Sequence, residues 1–105
     1  MSIDLALIGG TGLYRLPGLA NVERRAVDTP YGSTSDSLVV GSLGHRRIAF
    51  LARHGESHTI PPHRVNYRAN VWALHHVGAR RVIGVNAVGG IRADMGPRTL
   101  ALPDQ

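Results

Sequence analysis

The sequence predicts an α/β fold built on a mixed, largely parallel central sheet that is incomplete within these 105 residues. Three observations predict it. Short apolar runs of strand length recur along the chain, and several stop abruptly in glycine-rich turns. One clear amphipathic helix lies between two of them. About six strands are thus matched by a single helix, whereas a largely parallel sheet needs helices on both faces. One face is therefore expected to have nothing to pack against, and residues 1–105 are expected to form the N-terminal part of one larger domain.

In chain order, Ile3 to Ile8 reads as a buried strand feeding the tight turn Gly9-Gly10-Thr11-Gly12. Asn21 to Val27 alternates weakly, as a strand does, and Asp28-Thr29-Pro30-Tyr31-Gly32 follows as its turn. Ser37 to Leu43 and Arg47 to Ala52 are separated by Gly44-His45-Arg46, the pattern of a hairpin. A long loop runs from Arg53 to Pro62. Val65, Ala69, Trp72, Ala73 and His76 or Val77 then recur at helical spacing, starting just after Pro61-Pro62, with Gly78 placed as a left-handed C-terminal cap. Arg81 to Val85 is another buried strand, ending in Asn86-Ala87-Val88-Gly89-Gly90, and Thr99 to Leu102 reads as a last one.

Composition narrows the function classes. Hydrophobic residues make up 43% and charged residues 18%, as in a globular chain. The longest apolar run, Ile48 to Ala52, is strand-length, so no membrane span is expected. No basic, apolar and small-residue sequence marks an export signal, and the cytoplasm is the expected location. With no cysteine there is neither a disulfide framework nor a thiolate metal site. The net charge of +5 comes with arginine as the sole strong base, scattered singly or in pairs. That pattern, with few aromatics to stack bases, suits small anionic substrates better than nucleic acid.

Three loops, each directly after an expected strand, are candidates for chemistry, because ligands bind beyond the carboxyl ends of strands in open α/β sheets. Gly9-Gly10-Thr11-Gly12 offers backbone N–H groups and a hydroxyl to an anion. It is no Walker A loop, lacking a lysine, and no dinucleotide fingerprint, since Arg15 stands where the third glycine belongs. In Arg53-His54-Gly55 the guanidinium can grip two phosphate oxygens and the histidine can add a bond. In Asn86-Ala87-Val88-Gly89-Gly90, small residues let a flat ligand approach the backbone. A metal is not expected: His54-x-Glu56-x-His58 lacks zinc-protease spacing, and His75 and His76 point to different faces of the helix.

Two families compete for these residues. Leu51-Ala52-Arg53-His54-Gly55-Glu56-Ser57 resembles the histidine phosphatase and phosphoglycerate mutase signature, in which His54 would accept a phosphoryl group. That motif normally ends a first strand, whereas here residues 1–50 precede it. The chain as a whole resembles the purine-nucleoside and methylthioadenosine phosphorylase family. The matching pieces stand in family order: residues 8–13, Asp28 to Gly32, Leu51 to Gly55, His58 to Pro62, Val65 to Leu74, and Asn86 to Gly90.

This second resemblance implies a nucleoside phosphorylase fold and phosphate-dependent cleavage of a purine nucleoside, with inorganic phosphate as co-substrate and no cofactor. It implies that Thr11, Arg53, His54, Asn86 and Ala87 hold phosphate, and that Ala87, Val88 and Gly89 lie against ribose and purine. The Asn-Ala-x-Gly-Gly form particularly resembles the bacterial methylthioinosine phosphorylases, a lean toward 6-oxopurine that leaves methylthioadenosine open. Family members are more than twice this length and commonly trimeric. Their purine-reading residue and a second phosphate hydroxyl are thus expected beyond Gln105, leaving no catalytic acid identified here and an inactive truncated remnant as a third possibility.

Overall fold

The computed structural model describes residues 3–104. Five strands are found among them: β1 (Leu5–Gly9), β2 (Ala20–Arg25), β3 (Leu38–Leu43), β4 (Arg46–Ala52) and β5 (Val82–Val85). A 3₁₀ turn (Pro62–Arg64) and one helix, α1 (Tyr67–His76), lie between β4 and β5. The strands form one mixed sheet in the order β2-β3-β4-β1-β5. Pairing is parallel on both sides of β1 and antiparallel through β2, β3 and β4. The β3–β4 hairpin pairs Leu43 with Arg46 around Gly44, whose φ of +62° suits the first central position of a type II′ turn.

Alternation along the strands assigns the two faces. Ala6, Val40, Ala49 and Leu51 point to the face covered by α1, where they pack with Ile3, Leu38, Ala73, Leu74 and Ala79. On the opposite face Ile48, Phe50 and Ala52 are also buried. The segment between β1 and β2 contributes to covering that face: the Leu13 carbonyl lies over Gly9 beside the Phe50 ring, and Leu19 lies over Gly41. The expectation of a bare face is thus corrected. Loop, rather than helix, covers its centre, and exposure lies on the two outer strands, β2 along most of its length and β5 at Val82, Ile83 and Val85.

Two other expectations change. Thr99 to Leu102 forms no strand and Leu100 and Leu102 are almost fully exposed, because a strand needs a paired neighbour and none pairs with this stretch among the described residues. The two prolines open the 3₁₀ turn instead of the helix. α1 starts at Tyr67, with the Asn66 side chain accepting a hydrogen bond from the Ala69 N–H as its cap. Its other end is as expected at Gly78 (φ +104°). The Gly78 N–H bonds the His75 carbonyl and the Ala79 N–H bonds the Leu74 carbonyl, which together make a Schellman motif.

α1 buries one polar side chain, Asn70. Its Oδ1 accepts from the Ser35 N–H at 2.9 Å and its Nδ2 donates to Ser35 Oγ at 3.0 Å, fixing the approach to β3 on the helix. Asn70→Ala is expected to lose both bonds and leave Ser35 unpartnered, at a cost of about 1–3 kcal/mol in equilibrium denaturant unfolding. Asn70→Asp, which keeps the acceptor for Ser35 N–H, should recover part of that loss.

Candidate active site

The site is set by strand register. Gly9 pairs with Ala52 on one side and with Val85 on the other, so β4, β1 and β5 end level. Gly10, Arg53 and Asn86 therefore leave the sheet side by side. The Arg53 N–H donates to the Gly9 carbonyl at 2.9 Å, extending the pairing one residue beyond the strands. The opening glycine loop then turns back at once: the Leu13 N–H bonds the Gly10 carbonyl at 3.0 Å, and Gly12, at φ +91°, takes the left-handed position that a type II turn requires. Thr11 sits exposed at the tip, its hydroxyl unpartnered among the described residues.

Arg53 lies at the centre of this edge. Its Nη1 donates to Asn86 Oδ1 at 2.6 Å, which ties the loop after β4 to the loop after β5. Its Nη2 lies 3.4 Å from His54 Nε2. The His54 ring is buried, and its Nδ1 lies 2.8 Å from the Ile60 carbonyl oxygen. A carbonyl can only accept, so Nδ1 carries the proton, and the Nε2 of the neutral ring presents a lone pair to the guanidinium. The His54 carbonyl in turn accepts from the N–H groups of Thr59 and Ile60, closing the loop around the ring.

Arg53 forms no ion pair among the described residues. The carboxylates nearby in sequence are engaged elsewhere, Glu56 with Arg15 and Arg24, and Asp36 with Arg24. A half-buried guanidinium held only by a neutral amide and a neutral imidazole keeps its charge available for an anion. A side chain at Gly10 would force a shift here, since a methyl group on it would come within 2.5 Å of Arg53 Nη2 and 2.6 Å of the Val85 carbonyl oxygen.

Thr11, Arg53, His54 and Asn86 thus stand on loops that share one sheet edge. Ala87, Val88 and Gly89 follow Asn86 and are exposed, Val88 to 86%, with no hydrogen bond to the other loops. Two side chains went unassigned in the sequence: Tyr14 and His58, whose rings lie 5.1 Å apart between the glycine loop and the Arg53 loop. Tyr14 lies just beyond the first matching piece and His58 opens another, but their contact is purely tertiary and neither piece announces it. No group of three or more His, Asp or Glu side chains placed to hold a metal ion occurs among the described residues. Two cavities, of about 410 and 340 Å³, are lined by residues between Ala26 and Ser37 and by residues 33–35, 59–61, 64 and 66, and neither includes Thr11, Arg53 or Asn86.

A family model described as the phosphorylase superfamily matches residues 4–105. The chain belongs to that superfamily. It is 59% identical over 104 residues to a probable S-methyl-5'-thioinosine phosphorylase of Xanthomonas campestris pv. campestris, covering 99% of this chain and 42% of that protein. It is 56% identical to a purine nucleoside phosphorylase of Streptomyces coelicolor, covering 97% and 36%. Among solved structures it superposes on the methylthioadenosine phosphorylase of Schistosoma mansoni in complex with adenine. There the TM-score is 0.85 at 42% identity, covering 91% of this chain and 35% of the other. The chain spans about two-fifths of the length of the curated relatives named here. This membership, with His54 buried and both its ring nitrogens engaged, sets aside the histidine phosphatase resemblance.

Gly10→Ala is expected to push the Arg53 guanidinium off Asn86 and to weaken anion binding about tenfold, as overpacking by a single methyl costs about 1–3 kcal/mol. A phosphate titration of the intact gene product checks this, and an unchanged affinity would show that Arg53 does not depend on Gly10.

Proposed function

We propose that this chain supplies the phosphate-binding part of an enzyme that cleaves a purine nucleoside with inorganic phosphate, S-methyl-5'-thioinosine being the first choice of substrate and S-methyl-5'-thioadenosine the second. The observation that carries the proposal is the Arg53 guanidinium. It has no carboxylate partner among the described residues and is braced by Asn86 and His54 where three parallel strands end together. A nucleotide or nucleic acid would also satisfy a cation, but the membership of the phosphorylase superfamily favours free phosphate.

In this reading the C1′–N bond breaks with its electron pair leaving on the purine, the sugar gains oxocarbenium character, and a phosphate oxygen bonds C1′ from the opposite face. The products are a free purine and 5-methylthioribose 1-phosphate, and a proton goes to the departing base. Arg53, the Thr11 hydroxyl and backbone N–H groups of the glycine turn and of Ala87 hold the dianion beneath the developing cation. Fixed donors that need no reorganisation lower the barrier by position and charge alone. His54 serves by holding the guanidinium, while the backbone from Ala87 to Gly89 lies along the nucleoside. The pair Val85-Asn86, where methylthioadenosine enzymes commonly show threonines, favours the 6-oxopurine choice, as does the name given to the Xanthomonas relative. The complete protein acts in the cytoplasm as a homotrimer in this reading. No helix among the described residues is long and apolar enough to cross a membrane.

Incubating the complete gene product with methylthioinosine or methylthioadenosine, with and without phosphate, should release hypoxanthine from the first only when phosphate is present. Release of base without phosphate would overturn the phosphorolytic reading. Arg53→Ala should raise the phosphate KM about 100-fold, the worth of about 3 kcal/mol in charge-assisted hydrogen bonds, while nucleoside binding changes little. Equal losses for both substrates would remove Arg53 from the phosphate site.

A further inference from the structure

Near the tip of the glycine turn, the rings of Tyr14, His58 and His54 form a file that ends at Arg53. The Tyr14 and His58 ring centroids are 5.1 Å apart with the planes tilted by 42°, and His58 meets the His54 ring edge-on at 5.3 Å. His54 touches the guanidinium. Other ties between the two loops lie away from the tip: the Arg53 N–H to the Gly9 carbonyl at its base, and the Arg15–Glu56 ion pair. The Arg15 side chain is 82% exposed, and ion pairs so exposed hold little.

The backbone at His58 is held in an uncommon shape to make this contact. Its φ is +53°, in the left-handed region that a side chain other than glycine's seldom takes without compensation. The turn that produces it is closed by the His58 N–H bonding the Gly55 carbonyl at 3.0 Å. Neither His58 ring nitrogen has a hydrogen-bond partner among the described residues, so the contacts found for the side chain are made through its ring.

We propose that Tyr14 and His58 form an aromatic clasp that holds the glycine turn against the Arg53 loop, making both of them positioning residues for the phosphate site. The clasp rests on the phosphorolytic reading for its ligand. Its physical content is independent of any bond to that ligand: two loops from non-adjacent segments keep their spacing because a ring from each packs against the other. A pair of this kind can bias a loop equilibrium by up to about tenfold.

The test is phosphate kinetics of the complete gene product with Tyr14→Ala, His58→Ala, their combination, and His58→Phe. Each alanine variant should raise the phosphate KM about five- to tenfold with kcat within about twofold. The double variant should be no worse than the worse single one, because both single changes break the same Tyr14–His58 contact. His58→Phe, which keeps a ring but no nitrogen, should restore the phosphate KM to within about twofold of the unsubstituted protein. Additive losses in the double variant, or His58→Phe as impaired as His58→Ala, would overturn the clasp, the latter by showing that the imidazole nitrogens themselves matter. These outcomes are read against an unsubstituted protein that requires phosphate; turnover indifferent to phosphate would overturn phosphorolysis and the clasp together.

Discussion

Gly9 is paired on both sides at once, and the arrangement of the sheet edge depends on that. Because its partners are Ala52 and Val85, three parallel strands finish at one level, and three sequence-distant loops begin together. The absence of a side chain at Gly9 and Gly10 is part of the same constraint, since the Leu13 carbonyl, the Phe50 ring and the Arg53 guanidinium fill the space a Cβ would need. A slip of one residue along β1 would exchange Ala6 and Ile8 for Leu5 and Leu7 against α1. It would also move the Gly9 carbonyl away from the Arg53 N–H. Core packing and site geometry are therefore specified by one register.

Much of this was legible in the sequence because the strongest signals are local. Glycines after apolar runs mark strand ends, and Gly78 marks a helix end. The loops holding Thr11, Arg53, His54 and Asn86 could be ranked as candidates before it was known that they meet. What was not legible depends on distant contacts. Asn70 reads as a polar helix residue and is in fact core, because Ser35 satisfies it. Thr99 to Leu102 has a strand's composition without a neighbour to pair with. The covering of the second face by Leu13 and Leu19 has no periodicity to betray it, and the Tyr14–His58 contact joins two loops that share no motif.

Four of the twelve arginines form ion pairs among the described residues, and Arg53 differs from them in being held by an amide and an imidazole. Arg15 and Arg24 converge on Glu56, with Arg24 also reaching Asp36, while Arg25 pairs with Glu23 and Arg92 with Asp94. The Asp36 carboxylate also accepts from the Glu56 and Ser37 N–H groups, so the acids around the Arg53 loop are already committed. Near the Arg53 loop the acids are thus taken up by Arg15 and Arg24, while Arg53 itself meets neutral partners.

The two margins of the sheet are built to opposite rules. β2 carries Glu23, Arg24 and Arg25, and its ladder shifts register between Ala20 and Glu23, where Asn21 adopts a φ of +52°. Charge and irregularity of that sort discourage a foreign strand from adding on. β5 has neither guard within the strand: Val82, Ile83 and Val85 are apolar, and among the described residues it is paired to β1 alone. Within residues 3–104, a further strand could thus add through main-chain hydrogen bonds at the valine-rich margin and would be obstructed at the arginine-rich one.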